Sequence, residues 1–72
     1  MQIIHFTLTG EHIALCDLLK VTGIASSSGQ GKAMVAAGEV RVEGQPESRK
    51  TAKIRAGQKV ECLGTRIEVE GQ

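Results

Sequence analysis

Apolar residues recur along this chain with two different periods, and the change of period divides it. Ile4, Phe6 and Leu8 alternate with polar neighbours, which predicts a strand over residues 2–8. Thr9-Gly10-Glu11 breaks the alternation. From His12 to Val21 the apolar positions Ile13, Leu15, Cys16, Leu18 and Leu19 fall at helical spacing, and Gly23 supplies a C-terminal cap. Ala25-Ser26-Ser27-Ser28 is a polar loop that enters a second helix. Ser27 with Gln30 fits a capping box, in which the hydroxyl takes one orphan N–H of the first turn and the side-chain amide takes another. Lys32 to Ala37 continues that helix, with Met34 and Val35 on its inner side, and Gly38 stops it. Gly31 is a poor helix former, and close approach of the two helices explains it better than propensity does.

Beyond Gly38 the period drops to two. Glu39-Val40-Arg41-Val42-Glu43 alternates with Val40 and Val42 inward, and Gly44-Gln45-Pro46 reads as a turn. Lys53-Ile54-Arg55 follows, then a turn at Ala56-Gly57, Lys59-Val60-Glu61-Cys62, a turn at Gly64, and Thr65 to Glu70. Val60 with Cys62 and Ile67 with Val69 are the inward pairs. The predicted architecture is α+β: an N-terminal strand, two short packed helices, then a meander of short β-strands.

Seventy-two residues suit one domain, 1–72, with a small core and modest stability. The apolar fraction of 40% supports a globular fold. The longest apolar runs, such as Met34-Val35-Ala36-Ala37, fall far short of the ~20 residues that cross a bilayer. Met1-Gln2-Ile3-Ile4-His5 lacks a basic region followed by an apolar block, so no signal peptide is expected and the chain reads as cytoplasmic. Cys16 and Cys62 each sit in an apolar pattern and read as small buried hydrophobes. Monomer is the default expectation.

Charge changes the picture more than composition does. The net charge is +1, yet it is unevenly placed. Residues 1–40 carry Lys20 and Lys32 against Glu11, Asp17 and Glu39. Residues 41–60 carry six bases against Glu43 and Glu47, and residues 61–72 carry Arg66 against Glu61, Glu68 and Glu70. Arg49 to Lys59 holds five of the nine bases and no acid. Local charge, not net charge, sets attraction to phosphates. Solubility charges normally mix signs, so this segment points to phosphate contact, with arginine as a planar fork and lysine as a mobile point charge. Phe6 is the only aromatic residue, so base stacking has almost nothing to work with.

Other chemistries fail on spacing. His5, His12, Cys16 and Cys62 contain no Cys-x-x-Cys and no close His pair, so no metal is expected. Cys16 lies on the apolar stripe of its helix, which disfavours a nucleophile. Ser28-Gly29-Gln30-Gly31-Lys32 lacks the strand and the spacing of a nucleotide-binding phosphate loop. A sulfur-carrier or ubiquitin-like role needs a Gly-Gly tail, and this chain ends Glu70-Gly71-Gln72. No acid–base or nucleophile constellation survives, so neither an enzyme nor a cofactor is expected.

Leu15, Leu19 and Gly23, then Ser27, Lys32, Met34, Val35, Gly38, Val40, Val42 and Gly44, resemble the RNA-binding domain first seen in ribosomal small-subunit protein four. The lysine-bearing strand Lys53-Ile54 and the turn at Gly57 fit the same pattern. The closer resemblance is to the small stand-alone bacterial YbcJ-like proteins. It rests on Leu15-Cys16-Asp17-Leu18-Leu19-Lys20, on Gly38-x-Val40-x-Val42-x-Gly44, and on Glu47-x-Arg49-Lys50-x-x-Lys53-Ile54. The match spans roughly residues 13–62. It implies a helix–loop–helix on a small sheet and a structured RNA partner, ribosomal RNA foremost. Ala14 and Ser28 stand where the larger family often carries basic residues, and Glu43 stands where asparagine commonly precedes the glycine. These departures shift the weight onto Lys32 and the segment from Arg49 to Lys53.

The candidate RNA-binding residues are therefore Lys32, Arg49, Lys50, Lys53 and Arg55, with Ser27, Ser28 and Gln30 at the start of the second helix. For the last three, ordinary helix capping is the competing role. Arg55 and Lys59 either extend the patch or decorate strand faces, and Arg41 and Arg66 alternate with glutamates in the manner of cross-strand ion pairs. The expected function is non-catalytic binding of structured RNA by shape and backbone charge. The alternative is a protein-interaction module whose basic segment docks an acidic partner.

Overall fold

A computed structural model describes residues 2–72. The elements run β1 (Gln2–Leu8), β2 (Ile13–Ala14), α1 (Leu15–Val21), α2 (Ser28–Ala36), β3 (Val40–Val42), β4 (Gln45–Pro46), β5 (Lys53–Ile54), β6 (Lys59–Cys62) and β7 (Thr65–Gly71). The α+β architecture is the expected one. Five strands form one sheet in the order β1-β7-β6-β3-β4, and β2 with β5 forms a separate ribbon.

Two features depart from a plain meander. The first strand pairs parallel with the last, in register from Gln2↔Thr65 to Leu8↔Gly71. Strand β5 leaves the large sheet and pairs antiparallel with β2, Ile13 facing Ile54 and Ala14 facing Lys53. The second feature also corrects the first helix, which begins at Leu15 rather than His12. Ile13 satisfies helical spacing, but it is β-branched and equally suited to a strand. Ala14 is extended, at φ −65° and ψ 140°, and offers no side-chain cap. The turn expected at Gly44-Gln45-Pro46 lies one residue earlier. Glu43 and Gly44 both have positive φ, 53° and 80°, the pattern of the tight primed hairpin turn. Gln45 and Pro46 then pair with Val42 and Arg41.

The cap of α2 is as predicted at its first bond: Ser27 Oγ accepts from the Gln30 N–H at 3.1 Å. The Gln30 side chain reaches one residue further back than a standard box, accepting from the Ser26 N–H and hydroxyl. Leu15, Leu18, Leu19, Val35, Val40, Ile54, Val60 and Ile67 are the largest fully enclosed side chains. They join helices, sheet and ribbon in one apolar cluster. Burying each stabilises the fold by about 1.5–3 kcal/mol before entropy is charged. Cys16 and Cys62 are free thiols and both are buried. Arg66 pairs with Glu61 across the strands at 3.7 Å, as expected. Arg41 stands opposite Glu61 in register but makes no ion pair among the described residues.

Gly31 is where the helices meet most closely. A Cβ there would lie 2.7 Å from the Cys16 carbonyl oxygen and 3.2 Å from its Cα. Both are backbone atoms, which cannot swing aside. Gly31→Ala is therefore expected to destabilise the fold by about 1–2 kcal/mol, because overpacking outweighs the helix propensity of alanine. Gly29→Ala meets only Ser27 Oγ at 3.7 Å and is expected to be neutral or slightly stabilising. Urea midpoints of the two variants give the comparison.

Burial pushes the Cys62 thiol above its ordinary pKa, with Glu39 adding to the effect. The native state thus holds this proton more tightly than the unfolded chain. The stabilisation is complete below the unfolded thiol's pKa and declines as pH rises through the native value. Alkaline loss of stability is expected to be smaller in Cys62→Ala than in the parent chain, measured by urea unfolding from neutral to alkaline pH.

Candidate nucleic-acid interface

The segment between β4 and β5 is built from its backbone outward. Glu47 N–H donates to the Val40 carbonyl at 3.1 Å, which fixes the start of the loop to the sheet. Ala52 N–H donates to the Arg49 carbonyl at 3.2 Å and closes a tight turn. The carbonyls of Ala52 and Lys50 accept from the N–H groups of Leu15 and Cys16, at 2.9 and 3.1 Å. These donors are among the four that a helix start leaves without partners. Helix α1 has no capping side chain, so the basic loop caps it instead. Ala52 is buried and Ile54 is fully enclosed, so alternate residues anchor the segment while Lys50, Thr51 and Lys53 stay exposed. Arg49, Thr51, Ala52 and Lys53 line an open depression of about 460 Å³.

The same contacts place α2 beside this loop. Gly31 rests on the Cys16 backbone, and the Cys16 N–H is held by Lys50. Lys32 follows Gly31 in α2, the helix that packs on α1. Among the described residues, Lys32, Lys50, Lys53 and Arg55 make no ion pair, so their charges are free to meet an anion. Arg55 sits past the end of β5 in an exposed turn, where its N–H donates to Gln58 Oε1 at 2.7 Å. Ser27 Oγ and Gln30 Oε1 are engaged in the cap of α2, while Ser28 is half-buried at the first position of that helix. Lys59 lies on β6, opposite Glu68, away from the ribbon that carries Lys53.

Arg49 differs from the lysines. Glu47 accepts from its N–H at 3.0 Å, from Nε at 3.1 Å and from NH2 at 3.2 Å. The guanidinium is held in one direction by two of these bonds, and its remaining N–H donors are left for other partners. Residues 49–59 carry no acid, and Glu47 lies just outside them. The signal was the i, i+2 spacing of an acid and an arginine across Ser48, in a loop where no regular element dictates side-chain direction.

The Arg49 hydrogen bonds hold the Glu47 carboxyl below the usual carboxylate range. A depressed carboxylate contributes stability above the unfolded pKa and loses it as pH falls through the native value. Water reaches this pair, so the effect on global stability is small. The expected result is an NMR titration of Glu47 below the ordinary glutamate range, moving up toward that range in Arg49→Ala, where the side-chain bonds are lost and the backbone N–H of residue 49 still donates.

A family model described as the S4 domain matches residues 6–70 of the chain. A protein of Escherichia coli strain K12 named "Putative RNA-binding protein YbcJ" is 47% identical over 58 residues, covering 81% of this chain and 83% of that protein. A YbcJ of Shigella flexneri, named as uncharacterized, matches at the same identity and coverage. The solution structure of YbcJ from E. coli, described as revealing an alfaL motif involved in RNA binding, superposes with a TM-score of 0.74 at 41% identity. That superposition covers 97% of this chain and 90% of the other.

Proposed function

This chain belongs to the S4 domain family, and from that premise we propose that it is a non-catalytic protein of the cytoplasm that binds structured RNA, ribosomal RNA foremost. The observation that carries the reading is the basic loop itself. Lys50 and Lys53 make no ion pair among the described residues, while the loop's backbone is bonded to the start of α1. Charges on a fixed frame lose less conformational freedom when they meet a phosphate than charges on a loose tail. Lys50 and Lys53 supply point charges, Arg49 supplies a fork already oriented by Glu47, and Lys32 and Arg55 extend the surface. The RNA-binding character of YbcJ supports the same assignment. Recognition is by shape and backbone charge, since Phe6 is the only aromatic and sits at the rim of the core.

Binding to folded ribosomal RNA fragments across a salt series tests the reading. Each neutralised phosphate steepens the log–log slope by about 0.7–0.9. Replacing Lys50 and Lys53 by alanine is expected to flatten the slope by about two contacts' worth. Arg49→Ala is expected to flatten it less, because Glu47 already offsets that charge. Unchanged affinity in all of these variants would remove the basic loop from the interface. No RNA binding even at low salt would move the segment's role to an acidic protein partner.

A further inference from the structure

The two edges of the large sheet are built differently. The β4 edge is two residues long and carries Pro46, which cannot donate to a ladder. The β1 edge runs seven residues, Gln2–Leu8, without a proline, an acid, a lysine or an arginine. Long uncharged edges are the ones that accept another strand, and this one has none of the usual protections.

The ladder fixes which backbone groups are free. Gln2 stands opposite Thr65, and its N–H donates to the Gly64 carbonyl at 3.1 Å. In a parallel pair the N–H and C=O of one residue turn to the neighbour, and those of the next turn away. Gln2, Ile4, Phe6 and Leu8 therefore bond to β7. Ile3, His5 and Thr7 present donor and acceptor to the open side, where no strand of the described residues pairs with them. These three positions are symmetric about His5. A twofold axis through His5 lays a second β1 antiparallel, with His5 opposite His5 and Ile3 opposite Thr7. Each such pair is of the kind that exchanges both N–H···O bonds. The same register sets Ile4 opposite Phe6 on the core side. Both are only half-buried at the rim of the core, and Ile3 is 48% exposed.

We infer that β1 is a self-association edge, and that a second copy of this chain docks there by antiparallel β1–β1 pairing about His5. The contact is isologous, so each half supplies what the other lacks. It joins two sheets into one continuous sheet and covers the half-exposed Ile4 and Phe6 of both copies. A copy of this chain is the occupant because the complementarity is that of the strand with itself. Single-strand pairing buries less than the ~1,200–2,000 Å² of a standard stable interface, so the association is reversible and driven by concentration.

Sedimentation equilibrium of the full chain from micromolar to millimolar concentration tests this. The apparent mass is expected to rise from 7.6 kDa toward twice that value. Amides of Ile3, His5 and Thr7 are expected to gain hydrogen-exchange protection with concentration, while those of Ile4 and Phe6 stay protected throughout. His5→Pro removes the outward N–H at the twofold axis and leaves the β1–β7 ladder intact. Ile3→Lys places a charge on the edge. Both variants are expected to remain at 7.6 kDa with an unchanged circular dichroism spectrum. A parent chain that stays at 7.6 kDa at millimolar concentration overturns the inference. So does a dimer that both variants leave intact, or one whose added protection lies away from β1.

Discussion

The contact of Gly31 with the backbone of Cys16 is the constraint on which the rest of this small protein depends. No side chain fits between α2 and α1 at that point, since even a methyl carbon would sit 2.7 Å from a carbonyl oxygen. Close packing there lets short helices of seven and nine residues bury Leu15, Leu18, Leu19 and Val35 in a single cluster with the sheet. Helices of this length are not stable alone, so their conformation comes from packing rather than propensity. The contact also brings α2 against the residue whose N–H is held by the basic loop. Core packing and the candidate binding surface thus share one backbone residue, Cys16.

That sharing explains how an irregular segment is kept in place. Residues 47–53 form no long element, and exposed loops of this kind are ordinarily the least stable parts of a fold. Here the loop's carbonyls satisfy helix donors that no side chain satisfies, and Ala52 and Ile54 enter the core. Releasing the loop would leave the start of α1 without partners and open the cluster. The lysines are therefore carried on a frame that costs as much to disorder as a piece of core. Glu47 does the same for Arg49, its carboxylate accepting two hydrogen bonds from the guanidinium and one from the backbone N–H.

Local signals in the sequence were dependable where one residue decides one local geometry. Ser27 capping Gln30, Gly31 at the helix crossing and the burial of Cys16 and Cys62 were all legible. The long-range pairings were not. Nothing in residues 2–8 or 65–71 says that the first and last strands run parallel, because alternation records only which face is buried. Ile13 and Ala14 fit the helical spacing because two strand residues carry no periodicity of their own, and their partners are Ile54 and Lys53, far along the chain. In the candidate site, the clustering of Arg49, Lys50 and Lys53 was visible. The capture of Arg49 by Glu47 and the bond from Cys16 to Lys50 depend on a folded loop, and sequence spacing does not encode it. The left-handed Glu43 belongs to the same class. Its carboxylate accepts from the Lys59 N–H at 3.1 Å, a bond across sixteen residues that accompanies an uncommon backbone conformation.

The distribution of ion pairs decides where the positive charge acts. The large sheet carries Arg41, Glu61 and Arg66 in one cross-strand row, and Lys59, Glu68 and His5 in another. Arg66 meets Glu61 at 3.7 Å and Glu68 at 3.9 Å, so its field is largely cancelled within the face. Arg49 is offset by Glu47. Among the described residues, Lys20, Lys32, Arg41, Lys50, Lys53, Arg55 and Lys59 make no ion pair; of these, Lys50, Lys53 and Arg55 lie on or beside the β2–β5 ribbon, and Lys32 lies on α2, which packs on α1. Local charge, not the net charge of +1, sets the field here: Glu61 and Glu68 are paired with Arg66 on the large sheet, while Lys50 and Lys53 lie outside it. The separate ribbon matters for this reason: pairing β5 with β2 holds Lys53 outside the cross-strand ion-pair rows of the large sheet.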